Sequence, residues 1–302
     1  MKFEDVVNNP SKFLSMTGYY PNEFYALIPW FEQSLAESRY TLEGKERQNR
    51  LTSYKNSFLQ TINDKLLFIL VYFKQYPTQT VLGEIFGMSQ PKANLWVHFL
   101  TPVLQSALLK SGQAPVRNME DLLLQDAAVF MHDGTERPIQ HPSDKIEQKE
   151  YYSGKKKMHT VKNDVLANAD CKVLFLTPTV EGKKHDKKLA DESGYRLPEG
   201  SKLLQDTGFQ GFSVDNVSII QPKKKPRGAE LTDPEKEANR AISKIRIRIE
   251  HVISGVKRYR IVKYKCRNWL KGFKDSIMEI ACGLHNFRLI FRPWKAIECS
   301  LE

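Results

Sequence analysis

Ala127 to Met131 is a short apolar run with β-branched and aromatic members, and Asp133-Gly134-Thr135-Glu136 follows it directly. Its length and its stop at Gly134 predict a buried strand. A carboxylate at the end of such a strand is held on a rigid element and still faces a cleft. The plainer alternative is an Asp that starts a turn with Gly134. Two further carboxylates in comparable settings, each among basic residues, bear on that choice.

From residue 127 onward the pattern is α/β. His159 to Val165 and Cys171 to Leu176 read as strands joined at Asn168-Ala169-Asp170, and Asp186 to Glu192 as a short helix. Gln140 to Glu150 reads as a polar loop. Ser201 to Gly211 repeats the first theme: a short apolar strand, Asp206 at its end, glycines beyond. Asn239 to Arg260 is a strong amphipathic helix, with Ile242, Ile245, Ile249, Val252, Ile253 and Val256 at about 100° per residue. Arg246, Glu250 and Lys257 form a second stripe beside it. Glu250 therefore sits at the margin of the buried face, or simply pairs with Arg246 on the surface. Ile277 to Phe291 is a last helix.

The N-terminal part reads as all-α. Pro21 opens a helix whose apolar face is Phe24, Leu27, Ile28, Phe31 and Leu35, a packing or dimerising surface. Leu66 to Phe73 marks one helix, Thr78 to Phe86 a second, and Gln90 to Leu100 a third that Ser89 is placed to cap. This is the layout of a helix-turn-helix, with Ser89, Gln90, Lys92 and Asn94 facing DNA. An ordinary three-helix packing unit is the alternative. Ser111 to Pro115 is a break, so a helical domain is expected over 1–115, with its helix-turn-helix at 62–100, and a second domain over 116–302.

The 302 residues carry a net charge of +11, which points to a polyanion, nucleic acid first. Lys155, Lys156 and Lys157, with His159 beside them, read either as a solvated edge or as a phosphate-contact strip, and the loop residues Lys223, Lys224, Lys225 and Arg227 as a solvated connector, a nuclear-import-like cluster or a flexible DNA clamp. Lys263 to Lys271 interleaves basic residues with aromatics. No apolar run approaches 18 residues and no signal peptide opens the sequence, so a cytoplasmic protein is expected. The four cysteines form no CxxC pair and read as reduced thiols.

Taken in order, Asp133-Gly134-Thr135-Glu136, Gly154 to Thr160, Asp206 to Gly211, Arg248 to Ile253 and Cys282 to Arg288 resemble the DDE transposases of bacterial insertion sequences, in the broad group related to the eukaryotic Harbinger elements. The resemblance covers roughly residues 60–292. It implies an α/β (α+β) catalytic domain with an RNase H-like mixed sheet flanked by helices, preceded by the all-α helix-turn-helix domain. It also implies Asp133, Asp206 and Glu250 as the catalytic and metal-holding triad. A related Tyr-x2-Arg-x3-Glu-x6-Lys signature maps to Ser243, Arg246, Glu250 and Lys257. Ser243 departs from it, and Arg246 and Lys257 are left as candidates for holding the DNA end.

Three carboxylates brought together repel one another unless counter-charge is supplied. All-oxygen ligands suit Mg²⁺, with Mn²⁺ as a substitute, and two ions ~3.5–4 Å apart serve an in-line displacement at phosphorus. The resemblance implies hydrolysis at the ends of the element, at its terminal inverted repeats, and joining of the freed 3′-OH to target DNA, by a homodimer or larger assembly on double-stranded DNA. Two other classes compete: a domesticated helix-turn-helix regulator without catalysis, and an RNase H-like host nuclease that cleaves without strand transfer.

Overall fold

The computed structural model describes residues 1–48, 57–125, 127–226 and 228–294. The helical elements that come first are α1 (Glu4–Val7), α2 (Pro10–Thr17), α3 (Pro21–Ala36), α4 (Ile62–Gln75), α5 (Gln79–Phe86), α6 (Gln90–Lys110) and α7 (Met119–Leu123). Next come β1 (Val129–Pro138), α8 (Lys145–Tyr151), β2 (Tyr152–Ser153), β3 (Met158–Asn168), β4 (Val173–Leu176) and β5 (Val180–Glu181). The chain closes with α9 (Asp186–Ser193), β6 (Lys202–Leu204), β7 (Ser218–Ile220), α10 (Asp233–Lys257), α11 (Arg260–Lys263) and α12 (Phe273–Phe291).

These elements form two compact units. The first takes Met1–Ala114, Val256–Tyr264 and Asn268–Phe291; the second takes Pro115–Gly255, Lys265–Arg267 and Arg292–Glu302. The chain does cross between them at Ala114–Pro115. A single cut near 115 nevertheless fails to describe the units, because α12 returns to the first. Its Ile277, Ile280, Ala281 and Leu284 are almost fully buried there, and Asn286 Nδ2 donates to Gln113 O at 2.9 Å.

In the first unit the helix starts are capped locally. Asn9 Oδ1 accepts from Lys12 N ahead of α2, and Thr61 and Asp64 form a reciprocal capping box ahead of α4. The apolar face of α3 is spent inside this unit: Phe24, Leu27 and Phe31 are 0 % exposed and Leu35 1 %. Phe24 stacks on Phe3 at 5.0 Å and meets Phe13 edge-on at 5.2 Å. Of the two readings of this surface, packing within the chain is the one these residues follow.

Helix α6 runs to Lys110, well past the expected end at Leu100. It passes through Pro102, which removes one backbone hydrogen bond at a cost of ~3 kcal/mol. Val103, Leu104, Ala107 and Leu108 continue its apolar stripe and are buried, which outweighs that loss. Ser89 occupies the N-cap position, but its hydroxyl makes no capping hydrogen bond; Pro91 supplies the preset first turn instead.

The second unit is a mixed sheet in the order β2-β3-β1-β6-β7, with β4 and β5 also pairing with β3. β1 runs antiparallel to β3 and parallel to β6, and β6 runs parallel to β7. This is the expected mixed sheet with helices, following an all-α region. Phe130, Leu166, Phe175, Leu203 and Phe209 fill its core. The segment read as a polar loop holds a short helix, α8, capped by Asp144, whose Oδ1 accepts from Ile146 N and Glu147 N. Among the described residues no helix is long and apolar enough to cross a membrane.

β1 continues five residues past Asp133. Gly134 does not stop it, and Asp133 lies in mid-strand opposite Val165. A side chain at position 134 would put its Cβ 3.0 Å from Asp186 Oδ1 and 3.2 Å from Asp164 Oδ1. The glycine thus serves close approach by two carboxylates, not a turn.

Candidate active site and DNA-reading helix

Period-two alternation divides the β1 residues between the faces of the sheet. Asp133 lies on one face, with Arg246 of α10 and Asp206 as its charged neighbours. The Asp133 Oδ1 accepts from Gly134 N at 2.8 Å. Burial pushes its pKa up to about 6; Arg246 pulls against this, and Asp206 adds to it. Asp206 comes two residues after β6 and caps a single 3-10 turn, Thr207–Phe209, accepting from Thr207 N at 2.6 Å. Its backbone carbonyl accepts from Gln221, and Arg246 Nη1 reaches Asp206 Oδ1 at 3.4 Å. Asp133, Asp206 and Arg246, from three separate elements, therefore act on one another electrostatically, and Arg246 contacts Asp206 directly.

Glu250 does not join them. Ile249 and Val252 are 0 % exposed and turn α10 onto the unit's core, which carries Glu250 to solvent. Arg246, one turn earlier, is the residue of that stripe that reaches Asp206. Among the described residues, no three His, Cys, Asp or Glu side chains gather closely enough to hold a metal. Asp133 and Asp206 fit a divalent cation: the donors are all oxygen, and Asp133 has the raised proton affinity that a cation would replace. The full triad is not assembled.

The opposite face of β1 carries a polar group that the motif reading missed. His132, Gly134 and Glu136 alternate with Asp133 and stand across from Leu166, Asp164 and Lys162 of β3. Lys162 Nζ donates to Asp186 Oδ1 and to Lys184 O, both at 2.7 Å, and lies 3.8 Å from Glu136 Oε1. His132 and Asp164 are fully buried, with Nε2 and Oδ2 3.4 Å apart, too poorly aligned for a hydrogen bond. Burial pushes the Asp164 carboxyl up, against the pull of His132. Phe209 packs on the His132 ring at 4.0 Å. Strand alternation was the signal that linked these residues.

Gln90 and Asn94 meet at a third residue, Gln79, the first of α5. Its Nε2 donates to Asn94 Oδ1 and its Oε1 accepts from Gln90 Nε2, both at 2.6 Å. Ser89 and Gln90 are exposed, and Lys92 and Asn94 half-buried. Gln79 was not singled out because it precedes the turn. Gly83 lets the two helices meet: a Cβ there would lie inside van der Waals contact of the Met88 carbonyl oxygen.

The other basic candidates are dispersed. Lys155, Lys156 and Lys157 are exposed on the tight turn into β3, where Lys157 adopts φ +56°. The half-buried His159 ring packs edge-on to His141 and Tyr152. Lys223 and Lys225 pair with Glu235 and Glu230, Lys224 is exposed, and Lys257 closes α10. Arg227, a candidate from the sequence, lies outside the described residues, as does Cys299. Trp269, in the basic and aromatic segment, is exposed under the Lys274 ammonium at 5.7 Å.

Comparison with known families matches this layout. Residues 132–286, from His132 beside the first aspartate through α10 to Asn286, match the family described as DDE superfamily endonuclease. The chain belongs to the DDE superfamily of endonucleases. Residues 57–110 match the helix-turn-helix of DDE superfamily endonucleases, spanning α4 to α6. Among curated proteins it is 30 % identical over 234 residues to one described as a transposase for insertion sequence element IS702 of Microchaete diplosiphon, covering 76 % of this chain and 82 % of that one. It is 27 % identical over 231 residues to one described as a transposase for insertion sequence element IS112 of Streptomyces albus G, covering 76 % and 80 %. No solved structure matches the chain significantly.

Proposed function

We propose that this DDE endonuclease is a DNA transposase that recognises the terminal inverted repeats of its element through α6, cleaves at the element's ends and joins the freed 3′-OH to target DNA. The observation that carries this reading is the meeting of Asp133, Asp206 and Arg246 in a chain that also has the helix-turn-helix. Asp133 and Asp206 would hold the divalent cation, Mg²⁺ with Mn²⁺ as substitute. Bound, the cation supplies the Lewis acidity for attack on a phosphodiester by water and then by the 3′-OH. Arg246 supplies counter-charge to Asp206 and would hold the DNA end. Glu250, one turn along α10 from Arg246, would be the third carboxylate of the set. Lys257 and the Lys155 to Lys157 turn add phosphate contacts. Two ends require two active centres, so the working form on DNA is at least a dimer.

The test is a single assay with three outcomes. The protein is mixed with Mg²⁺, a labelled duplex from the element's end and a supercoiled target plasmid. Label joined to the plasmid supports the transposase. Cleavage with no joined product makes it a nuclease, and binding with no cleavage makes it a regulator.

A further inference from the structure

The first unit contains a basic cavity of about 290 Å³ that neither the acidic centre nor the recognition helix uses. Its walls include Ser11 and Ser15 of α2, Lys74 and Gln75 at the end of α4, and Arg258 and Arg260 around the start of α11. Three of these side chains are cationic and no acidic residue lines the cavity. Two of the cations, Arg260 and Lys74, are held in place. Arg260 Nη1 donates to Gln75 Oε1 at 2.8 Å and its guanidinium lies 6.0 Å over the Tyr264 ring. Gln75 Nε2 in turn donates to Ser15 O at 2.5 Å, and Lys74 Nζ donates to Arg258 O at 3.2 Å. Arg258 and Arg260 are exposed at the rim.

We propose that this cavity is a phosphate-binding site that clamps the DNA backbone beside the groove read by α6. Guanidinium forks beside an ammonium and hydroxyls match phosphate oxygens in both charge and geometry. Position selects DNA as the source of that phosphate. Gln75 lies only four residues before Gln79, so the two Cα atoms are within ~15 Å. Gln79 is the residue bonded to Gln90 and Asn94 on the reading face. A duplex engaged by α6 thus brings its backbone to the cavity's edge. The competing role for these cations is to complement the carbonyl ends of α2 and α4, which terminate here. That role predicts a contribution to stability and none to DNA binding.

This inference rests on the helix-turn-helix reading, and the experiment separates the two. Affinity of the full chain is measured by fluorescence anisotropy across a KCl series, for a duplex from the element's end and a scrambled duplex. Arg258→Gln, Arg260→Gln and Lys74→Gln should each weaken binding to both duplexes by the same factor. Each should also lower the slope of log affinity against log salt by about one. Preference between the duplexes should stay as in wild type, whereas Asn94→Ala should reduce it. Arg258→Lys should retain most of the slope. Wild-type affinities and slopes in folded Arg258→Gln and Arg260→Gln, alongside a loss of preference in Asn94→Ala, would overturn the clamp and leave the reading helix standing. Loss of binding to the end duplex alone would also overturn it, as the cavity would then read sequence. Unchanged preference in Asn94→Ala would instead count against the helix-turn-helix reading.

Discussion

Arg246 Nη1 lies 3.4 Å from Asp206 Oδ1, and the same guanidinium is the strongest influence lowering the proton affinity of Asp133. One arginine on α10 therefore serves as counter-charge to two aspartates from different elements. Replacing it by Gln should push Asp133 above about 6 in the metal-free protein. Carboxyl-carbon NMR of Asp133 against pH measures this. A titration midpoint unmoved in Arg246→Gln would show that burial alone sets the value.

The raised Asp133 also gives stability a pH dependence with a definite sign. The folded state holds this proton up to about pH 6, whereas an unfolded chain releases it near 3.8. The native state thus binds more protons between those values, and this group's contribution makes the metal-free protein lose stability as pH rises through the window. The loss is at most ~3 kcal/mol. Comparison of urea midpoints at pH 5 and 7 for wild type and Asp133→Asn checks it: the difference between pH values should shrink in the variant.

Gly134→Ala should destabilise the second unit by about 1–3 kcal/mol, because a Cβ there presses on Asp186 Oδ1 and Asp164 Oδ1. Asp186 has little room to yield while Lys162 holds it at 2.7 Å. Thermal unfolding reads the effect, and an unchanged midpoint would mean that the two carboxylates move aside freely.

Gln79→Ala should leave the helix-turn-helix folded while releasing Gln90 and Asn94 from their shared partner. Preference for the element's end over scrambled DNA should fall about tenfold, or ~1.4 kcal/mol, with helical content unchanged. Retained preference would make Gln79 a bystander.

The sequence reveals elements better than their ends and their company. The stripe of Ile245, Ile249 and Val252 specifies α10, and the short run before Asp206 specifies β6, because burial imposes a period. The same logic misplaced the end of β1. Glycine was read as punctuation, yet Gly134 answers to Asp164 and Asp186, which lie 30 and 52 residues further along the chain. The end of α6 was missed because Pro102 carries a strong local signal that the packing of Leu104 and Leu108 overrides. The aspartates and Arg246 were legible as types and spacings. That Arg246 and not Glu250 reaches Asp206 depends on the rotation of α10, which a stripe of residues specifies only to within a turn. Gln79 and Lys162 were hidden because each matters through a partner distant in the chain.

If Asp133 and Asp206 form the cleaving centre, cutting needs both carboxylates. The most direct test is the rate of Mg²⁺-dependent cleavage of a duplex from the element's end by wild type, Asp133→Asn and Asp206→Asn, with end binding measured in parallel. Both variants should bind the duplex as wild type does and leave it uncut, with wild-type cleavage abolished by EDTA. Near-normal cleavage by folded Asp133→Asn, or wild-type cleavage that persists in EDTA, would contradict the account.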